Sequence, residues 1–339
     1  MPCPKVLIIL GSQRGGTTIF GRLLGEVEGF VYAGEVRRLW LSDPRKPCSC
    51  GEPLERCSLW STVLARVLPD GVTRADVARW QARHVSSRHS WIGALRLLVD
   101  GPTGRHADPE LAAYASIVRH LYEVLGEVTG GRVIVDASKH PNDAVLLHQL
   151  PEVPSYVVQI VRDPRGSAHS VQRRRAVRLA RRRRSSNGSW SGLLSDGHSA
   201  SAALSWLTRH AASEAVRRLV PPERSLFVRY EDLVKDPVGV LQHVAAFVGE
   251  KPRDFPRFSA GAVELGVTHS PTSGKRMLPE RTPIHLDDQW MSELGRRNAL
   301  LTAGLAWPLM RRYGYRLRAP GDAAPVLDDA PGTALQQRR

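Results

Sequence analysis

The segment from Lys5 to Val27 reads KVLIILGSQRGGTTIFGRLLGEV. The five residues after Lys5 are all apolar, which is typical of a strand buried in a parallel sheet. A glycine-rich turn follows, and apolar residues then recur at the spacing of one helix face, at Ile19, Leu23, Leu24 and Val27. The segment therefore predicts a strand, a glycine-rich loop and a helix, which together begin a βαβ unit.

Further apolar runs alternate with helical patterns along the rest of the chain. Buried strands are predicted at 132–136, 156–162 and 225–229. Helical sequence follows each of them and begins with Pro141, Pro164 and Pro237, since proline suits the first turn of a helix. This alternation indicates an α/β fold, in which a P-loop-type parallel β-sheet is flanked by helices on both faces.

The length and composition are those of a globular chain. The 339 residues are 42% hydrophobic and 24% charged, a balance that allows a sizeable core and excludes wholesale disorder. We expect one domain over residues 1–318, with a mobile loop at about 181–201 and a disordered tail over 319–339. The apolar runs are too short for a transmembrane segment and the first residues do not resemble a secretory signal. We therefore expect a cytoplasmic protein.

Positive charge is concentrated in one part of the chain. The formal net charge is +15, from 48 Lys and Arg against 33 Asp and Glu, and eight arginines fall within 173–184. Two explanations account equally well for this excess of positive charge, an arginine-biased genome and a functional basic surface. The run at 173–184 is either a solvated helix end or a flap that attracts an anionic acceptor or the phosphates of a cofactor.

The loop between the first strand and the first helix has the spacing of a phosphate-binding loop. Four residues separate Gly11 from Gly16, as in nucleotide P-loops, and the backbone N–H groups at a helix start bind anions. Thr17 stands where an NTPase has its lysine, which argues against hydrolysis of ATP or GTP. Arg14 supplies a cation from within the loop, and Thr17 and Thr18 add hydroxyl groups. We predict a phosphate site rather than a glycine-rich turn without a ligand.

Two short motifs begin where predicted strands end. The first is Arg14-Gly15-Gly16-Thr17-Thr18, and the second is Arg162 with Ser170 eight residues later. Both resemble motifs of the sulfotransferases that use 3′-phosphoadenosine-5′-phosphosulfate (PAPS), most closely the tyrosylprotein sulfotransferases and their bacterial relatives. The resemblance implies that the first motif binds the 5′-phosphosulfate, and that Arg162 and Ser170 bind the 3′-phosphate. Arg174 lies one helical turn beyond Ser170 and is placed to join them.

The resemblance covers roughly residues 5–315 and implies roles for further side chains. Glu35 aligns with the catalytic base of the tyrosylprotein enzymes, and Lys139 aligns with a lysine that stabilises the departing phosphate. Tyr230 aligns with a tyrosine that lies against the nucleotide. The segment 269–276 is similar in position to a basic loop that closes over the 3′-phosphate, with Lys275 and Arg276 as its cations.

Structural alternatives stay open for three of these residues. Glu35 also suits a capping position at the start of a predicted helix over 36–41, where the helix dipole favours a carboxylate. Arg162 would otherwise form a strand-end ion pair with Asp163 or Asp136. Lys139 would otherwise be a solvated cation in a loop.

The implied reaction is transfer of the sulfuryl group from PAPS to a hydroxyl of a small molecule, a glycolipid or a peptide tyrosine, leaving adenosine 3′,5′-bisphosphate. Glu35 would accept the proton, and Arg14 and Lys139 would stabilise the leaving phosphate. No metal is expected in this reaction, because cations already surround that phosphate. One rival function is a P-loop kinase of small molecules, with Asp136 on Mg²⁺. Another is a nucleic-acid-binding protein whose binding weakens steeply with salt; we expect no nucleic-acid partner, because aromatic residues are not interleaved with the basic ones.

Three cysteines lie within ten residues of one another, at Cys48, Cys50 and Cys57. We expect reduced thiols or a local structural staple, since the resemblance to bacterial sulfotransferases with a similar cysteine-rich loop favours a staple. A disulfide between Cys50 and Cys57 is disfavoured in a cytoplasmic protein. Zinc is the least favoured reading, because the sequence offers no fourth ligand nearby.

Overall fold

A parallel sheet of five strands forms the centre of the molecule, in the order β2-β3-β1-β4-β5. This computed structural model describes residues 3–86, 97, 101, 108–183, 196–271 and 278–317, with 175, 177–183 and 196–198 described by their backbone alone. The strands are β1 (Lys5–Leu10), β2 (Phe30–Gly34), β3 (Val133–Asp136), β4 (Ser155–Val161) and β5 (Ser225–Arg229). Every neighbouring pair is parallel, so all five strands end at one edge of the sheet.

Helices connect the strands and cover the sheet. They are α1 (Thr17–Gly25), α2 (Arg38–Leu41), α3 (Ser58–Val67), α4 (Arg74–His84), α5 (Pro109–Thr129), α6 (Pro141–His148), α7 (Pro164–Arg183), α8 (Asp196–Leu219), α9 (Tyr230–Lys235), α10 (Pro237–Phe247), α11 (Trp290–Glu293) and α12 (Arg296–Arg312). A second, antiparallel sheet contains β6 (Phe258–Ser259), β7 (Ala262–Glu264) and β8 (Arg281–Pro283). The predicted α/β fold is confirmed.

Both faces of the sheet are buried, which explains the unbroken apolar run of β1. Successive side chains of a strand point to opposite faces, so Ile8 joins one core and Ile9 the other. The first core also contains Trp60 of α3, and the second contains Phe20 of α1. Because neither face of β1 meets water, alternation with polar residues would be destabilising there.

The predicted strands β1, β3, β4 and β5 are confirmed, and so are the helices that begin at Pro141, Pro164 and Pro237. Strand β2 was not predicted. Among the described strands it pairs only with β3, and its sequence FVYAG has a single β-branched residue and ends in Ala and Gly, so it lacks the Val and Ile run that marks β3. Glu35, which the sequence placed near a helix, therefore follows a strand of the central sheet.

The two ends of the predicted mobile loop are helical in the part of the chain that the structure describes. Helix α7 continues to Arg183, and α8 begins at Asp196, so the two ends of the 181–201 range are helical. Residues 184–195 and the predicted tail at 319–339 lie outside the described residues. Among the described helices, none is long and apolar enough to cross a membrane.

Candidate active site

The residues singled out from the sequence follow the carboxyl ends of the central strands. The phosphate loop follows β1, Glu35 follows β2, Lys139 follows β3, Arg162 follows β4 and Tyr230 follows β5. In open parallel sheets, ligands bind outside these carboxyl ends. The topology therefore gathers five separate stretches of sequence at one candidate site.

The phosphate loop presents the start of α1 without a side-chain cap. Gly16 precedes the helix in the left-handed conformation, with a φ of 87°, and no side chain there accepts a hydrogen bond from the first turn. The N–H of Gly15 donates to the carbonyl of Ser12 over 3.2 Å, which curls the loop. A Cβ at Gly16 would overlap the ring of Tyr230, so the close approach of the two also requires glycine. Such a helix start is suited to an anion.

Two cations and a hydroxyl meet beside this loop. Arg14 Nε donates to Ser170 Oγ over 2.8 Å, and both Ser170 and Arg162 are buried. The Arg162 guanidinium lies 4.8 Å from the centre of the Tyr230 ring. Arg174 is half-buried one turn farther along α7. The structure therefore brings the residues of both predicted phosphate motifs together, while their roles stay predictions.

The ion pair of Arg162 differs from both alternatives that the sequence offered. Its guanidinium lies 3.1 Å from the carboxylate of Asp287 and also donates to the carbonyl of that residue over 2.8 Å. Asp163 instead pairs with Arg165 at 2.6 Å. Partial burial acts to raise the pKa of Asp287, but the charge and the hydrogen bond of Arg162, together with the charges of Arg173 and His169, lower the pKa overall. A phosphate at Arg162 would therefore share the guanidinium with an ionised carboxylate.

Glu35 and Lys139 form a largely buried ion pair. Lys139 Nζ donates to Glu35 Oε1 over 2.6 Å, and only 12–13% of each side chain is exposed. Arg38 Nε lies 3.8 Å from the other carboxylate oxygen. The helix-cap alternative for Glu35 is wrong, because α2 begins only at Arg38 and Arg37 occupies its N-cap position without a side-chain cap. The alternative of a solvated Lys139 is wrong as well.

Asp136 at the end of β3 holds this pair in place, a role that the sequence did not reveal. Its carboxylate accepts from the backbone N–H of Val36 over 3.3 Å and of Ser138 over 2.8 Å, and from the Tyr122 hydroxyl over 2.8 Å. Burial raises its pKa to about 6. Since Val36 follows Glu35 and Ser138 precedes Lys139, Asp136 fixes both backbones. These bonds occupy the carboxylate that the kinase alternative assigned to Mg²⁺.

More positive charge lies around Glu35 than one lysine supplies. Burial lowers the pKa of Arg209 in α8, and Arg37 lowers it further, whereas Glu35 raises it. Arg37 is itself held by Asp143 at 3.3 Å. His140 has its pKa lowered to about 3 by burial and by the charges of Arg37 and Arg209, so its ring is neutral near pH 7. The surroundings of Glu35 therefore favour negative charge.

A cavity of about 170 Å³ adjoins the phosphate loop between α7 and α8, and its lining includes Ser12, Ser167 and Trp206. The hydroxyls of Ser12 and Ser167 are buried and have no hydrogen-bond partner among the residues that the structure describes. Trp206 donates to the carbonyl of Arg162 over 3.0 Å, which fixes the end of β4. Orphaned buried hydroxyls beside a phosphate loop are consistent with a polar ligand.

The segment predicted to close over the 3′-phosphate is described only in part. Lys275 and Arg276 lie outside the described residues. His269 contacts Cys57, with 3.2 Å between Nδ1 and Sγ. Ser270 packs on Gly34, where a Cβ would overlap its hydroxyl. The described end of the segment therefore touches the cysteine loop and the residue before Glu35.

Several solved structures are similar to this chain across most of its length. The sulfotransferase domain of the Synechococcus PCC 7002 olefin synthase is 19% identical, with 94% of this chain and 98% of that chain covered and a TM-score of 0.46. The sulfotransferase domain of the curacin biosynthetic pathway is 17% identical, with coverages of 94% and 100% and a TM-score of 0.48. A sulfotransferase from Alicyclobacillus acidocaldarius is 14% identical, with coverages of 92% and 96% and a TM-score of 0.41.

The sequence itself carries a family signature over most of its length. No curated protein sequence matches the chain. The sequence profile described as "Sulfotransferase family" matches residues 4–254, a range that contains the phosphate loop, Glu35, Lys139, Arg162 and Tyr230. With that match over most of the chain, this protein belongs to the sulfotransferase family.

Proposed function

We propose that this sulfotransferase moves the sulfuryl group from PAPS to a hydroxyl of its acceptor, with Glu35 as the general base. The observation that carries the donor assignment is the meeting of Arg14, Ser170 and Arg162 beside the start of α1. PAPS bears phosphate groups at two positions, and this arrangement offers two adjacent sets of donors. The buried hydroxyls of Ser12 and Ser167 fit the same polar ligand.

The chain's residues divide between the two ends of such a donor. The N–H groups from Gly15 to Thr18, with Arg14, would hold the 5′-phosphosulfate. Arg162, Ser170 and Arg174 would hold the 3′-phosphate, and Tyr230 would contact the nucleotide. Lys275 and Arg276 stay part of this proposal on the family resemblance alone.

Sulfuryl transfer needs a base and stabilisation of the leaving phosphate. The acceptor oxygen forms a bond to sulfur, and its proton goes to a carboxylate oxygen of Glu35. The bond between sulfur and the oxygen of the 5′-phosphate breaks, and that oxygen keeps the electron pair. Lys139 and Arg14 would stabilise the charge on this oxygen, and one such preorganised donor is worth about 10²–10³-fold in rate.

Among the described residues, Glu35 is better suited as the base than either histidine near this edge of the sheet. His140 has a pKa of about 3, which makes its neutral ring a poor proton acceptor. His269 uses its Nδ1 in a contact with Cys57. Glu35 instead lies next to a cation that would stabilise the leaving group, so proton removal and charge stabilisation fall on neighbouring side chains.

The charges around Glu35 support an acceptor that carries a negative group near its hydroxyl. Arg38 lies 3.8 Å from Glu35 and Arg209 interacts with it electrostatically, while one lysine already balances the carboxylate. In a partly buried site, an anionic acceptor would gain more from these guanidinium groups than a neutral one.

The donor assignment is tested by thermal unfolding with nucleotides. Adenosine 3′,5′-bisphosphate at a hundredfold excess over its Kd should stabilise the protein by about 2.7 kcal/mol, or about 4 °C in Tm at this size. AMP, ATP, GTP and NAD at the same concentration should give a much smaller shift. Arg162→Ala should abolish the preference over AMP. An equal response to AMP in the wild type would remove the 3′-phosphate site, and turnover of ATP would favour the kinase.

The acceptor charge is tested with a matched pair of phenols. 4-Hydroxybenzoate should be sulfated with a higher kcat/KM than 4-hydroxybenzamide, because only the first is anionic. Arg209→Gln should reduce this preference, whereas Arg218→Gln, an exposed position on the same helix, should not. Equal kcat/KM for the two phenols in the wild type would contradict the anionic acceptor while leaving the donor assignment intact.

A further inference from the structure

Three cysteines and a histidine meet at one point, although 212 residues separate Cys57 from His269. The ligand atoms of Cys48, Cys50, Cys57 and His269 all lie within 4.8 Å of one another. All four cysteines of the chain are free thiols, so no disulfide accounts for the cluster. The fourth ligand that the sequence lacked near the cysteines is supplied by a distant loop.

We propose that these four residues bind a structural Zn²⁺ ion. Three thiolates and an imidazole are a donor set that zinc prefers, and four protein ligands leave no open position for catalysis. With Zn–S bonds of about 2.3 Å and Zn–N bonds of about 2.0 Å, a tetrahedral site has ligand–ligand edges of about 3.5–3.8 Å. The sulfur of Cys57 and the Nδ1 of His269 are already 3.2 Å apart, and the remaining pairs need to close by about 1 Å at most.

The backbone of the cysteine loop (residues 48–57) holds Cys48 and Cys50 in positions that suit metal binding. The N–H of Cys48 donates to the carbonyl of Glu52 over 2.7 Å, and the N–H of Gly51 donates back to the carbonyl of Cys48 over 3.0 Å. Gly51 has a φ of 96°, which is the left-handed region that favours glycine. This tight turn directs Cys48 and Cys50 toward the same point.

Contacts around the ligands hold the histidine loop in place independently of a metal. The Oγ of Ser49 accepts from the N–H of Ser270 over 2.7 Å and donates to the carbonyl of Thr268 over 2.6 Å. Trp60 Nε1 donates to the carbonyl of His269 over 2.7 Å. Hydrogen bonds of this kind orient metal ligands, so the site is largely preformed.

The zinc site also lies next to the loop that carries Glu35. Ser270, next to the histidine ligand, packs on Gly34, and Gly34 has a φ of 75° and precedes Glu35. Zinc would therefore tie the loop after β7 to the cysteine loop, and Ser270 of the first of these loops packs beside Glu35 at Gly34. The ion takes no part in the transfer itself, which agrees with the expectation that the reaction needs no metal.

The test is the metal content of the full chain, purified without chelators or metal-affinity resin. Elemental analysis should find about one zinc per chain. His269→Ala and Cys57→Ser should lose it, whereas His269→Cys should retain it, because a fourth thiolate also completes a zinc site. Cys3→Ser, which removes a thiol outside the cluster, is the matched control and should keep the metal.

A second measurement needs no variant and so does not depend on mutant folding. In the wild type, adding a strong chelator should speed the reaction of a thiol reagent with Cys48, Cys50 and Cys57 and leave the reaction of Cys3 unchanged. The proposal is overturned if the reduced protein, incubated with ZnCl₂ and desalted, holds no zinc. It is also overturned if His269→Ala retains the wild-type content, or if the denatured protein shows a disulfide. Metal content is read without turnover, so none of these results depends on the sulfotransferase assignment.

Discussion

Replacing Glu35 with glutamine separates a catalytic base from a structural carboxylate. The side chain keeps its size and still accepts a hydrogen bond from Lys139, but it can no longer take a proton. We expect kcat to fall by about 10²–10⁴-fold, which corresponds to about 3–5 kcal/mol in the barrier. The affinity for adenosine 3′,5′-bisphosphate should not weaken, because Glu35 is assigned to the acceptor and its carboxylate no longer competes with the phosphate for Lys139.

The structure also sets a stability cost for this change. The 2.6 Å pair is only 12–13% exposed, so Glu35→Gln leaves a largely buried ammonium group without its counter-charge. The burial of this pair lies between two known cases. An exposed pair is worth at most about 1 kcal/mol, and losing one partner of a fully buried pair costs about 3–5 kcal/mol. We expect a loss of about 1–3 kcal/mol in the free energy of unfolding. The double variant with Lys139→Gln should regain part of this stability, since the buried ammonium group is removed as well, and none of the rate.

The assay follows adenosine 3′,5′-bisphosphate release with 4-hydroxybenzoate as the acceptor, and urea unfolding measures stability. Single-turnover rates remove product release from the comparison. Glu55→Gln, at an exposed carboxylate, should change neither quantity. A folded Glu35→Gln protein with nearly wild-type kcat would refute the assignment.

Three further substitutions test other parts of the structure. Arg14→Gly should change the free energy of unfolding by no more than about 1 kcal/mol, because two effects oppose each other. Glycine relieves the strain of the left-handed φ of 65°, whereas the hydrogen bond to Ser170 is lost. It should nevertheless weaken the binding of adenosine 3′,5′-bisphosphate by about 10- to 150-fold in calorimetry, and unchanged affinity would contradict the phosphate role. Asp287→Asn should tighten that binding by about 2- to 12-fold, since a carboxylate no longer competes for Arg162; equal tightening in exposed Asp288→Asn would refute this cause. Burial and the charge of Arg209 lower the pKa of His210 to about 3, so its contribution to stability is complete above pH 6.5 and is lost as the pH falls toward 3. Between pH 7 and 4.5, the free energy of unfolding of His210→Gln should fall by about 2–3 kcal/mol less than that of the wild type. Urea titration at both pH values measures the difference, and an equal fall in the two proteins would be the contrary result.

The parts of the site that could be predicted are those encoded by neighbouring residues. The phosphate loop is a contiguous strand, turn and helix, so its apolar run and its glycines are sufficient to predict it. Arg162 and Ser170 lie eight residues apart on a strand end and the next helix, a spacing that survives in the structure. In both cases the backbone between the residues fixes their relative positions, so the prediction does not depend on contacts between distant segments.

The parts that could not be predicted depend on contacts between distant segments. Asp287 reaches Arg162 across 125 residues, and Lys139 reaches Glu35 across 104. Nothing in the local sequence distinguishes Asp287 from a solvated carboxylate. The fourth ligand of the cysteine cluster was missed for the same reason, because His269 comes from a loop beyond the last strand of the central sheet.

Backbone strain identifies two of the predicted site residues without reference to any relative. Among the described residues, the non-glycine positions with a positive φ are Arg14, Lys139 and Ala260. Ala260 precedes Gly261 in the two-residue turn between β6 and β7, where a hairpin requires this conformation.

No hairpin accounts for the other two. Arg14 is the third residue of the turn that the N–H of Gly15 closes onto the carbonyl of Ser12, a position that favours glycine, and a left-handed residue there or at Lys139 costs about 1–2 kcal/mol. Such strain persists only where the surrounding structure imposes it, and it collects at functional sites. Arg14 is held by its bond to Ser170, and Lys139 by its buried pair with Glu35. Both are cations at the carboxyl edge of the sheet, where the proposed reaction places its leaving phosphate. The strain is thus explained if the fold gives up stability to hold two positive charges at this edge of the sheet.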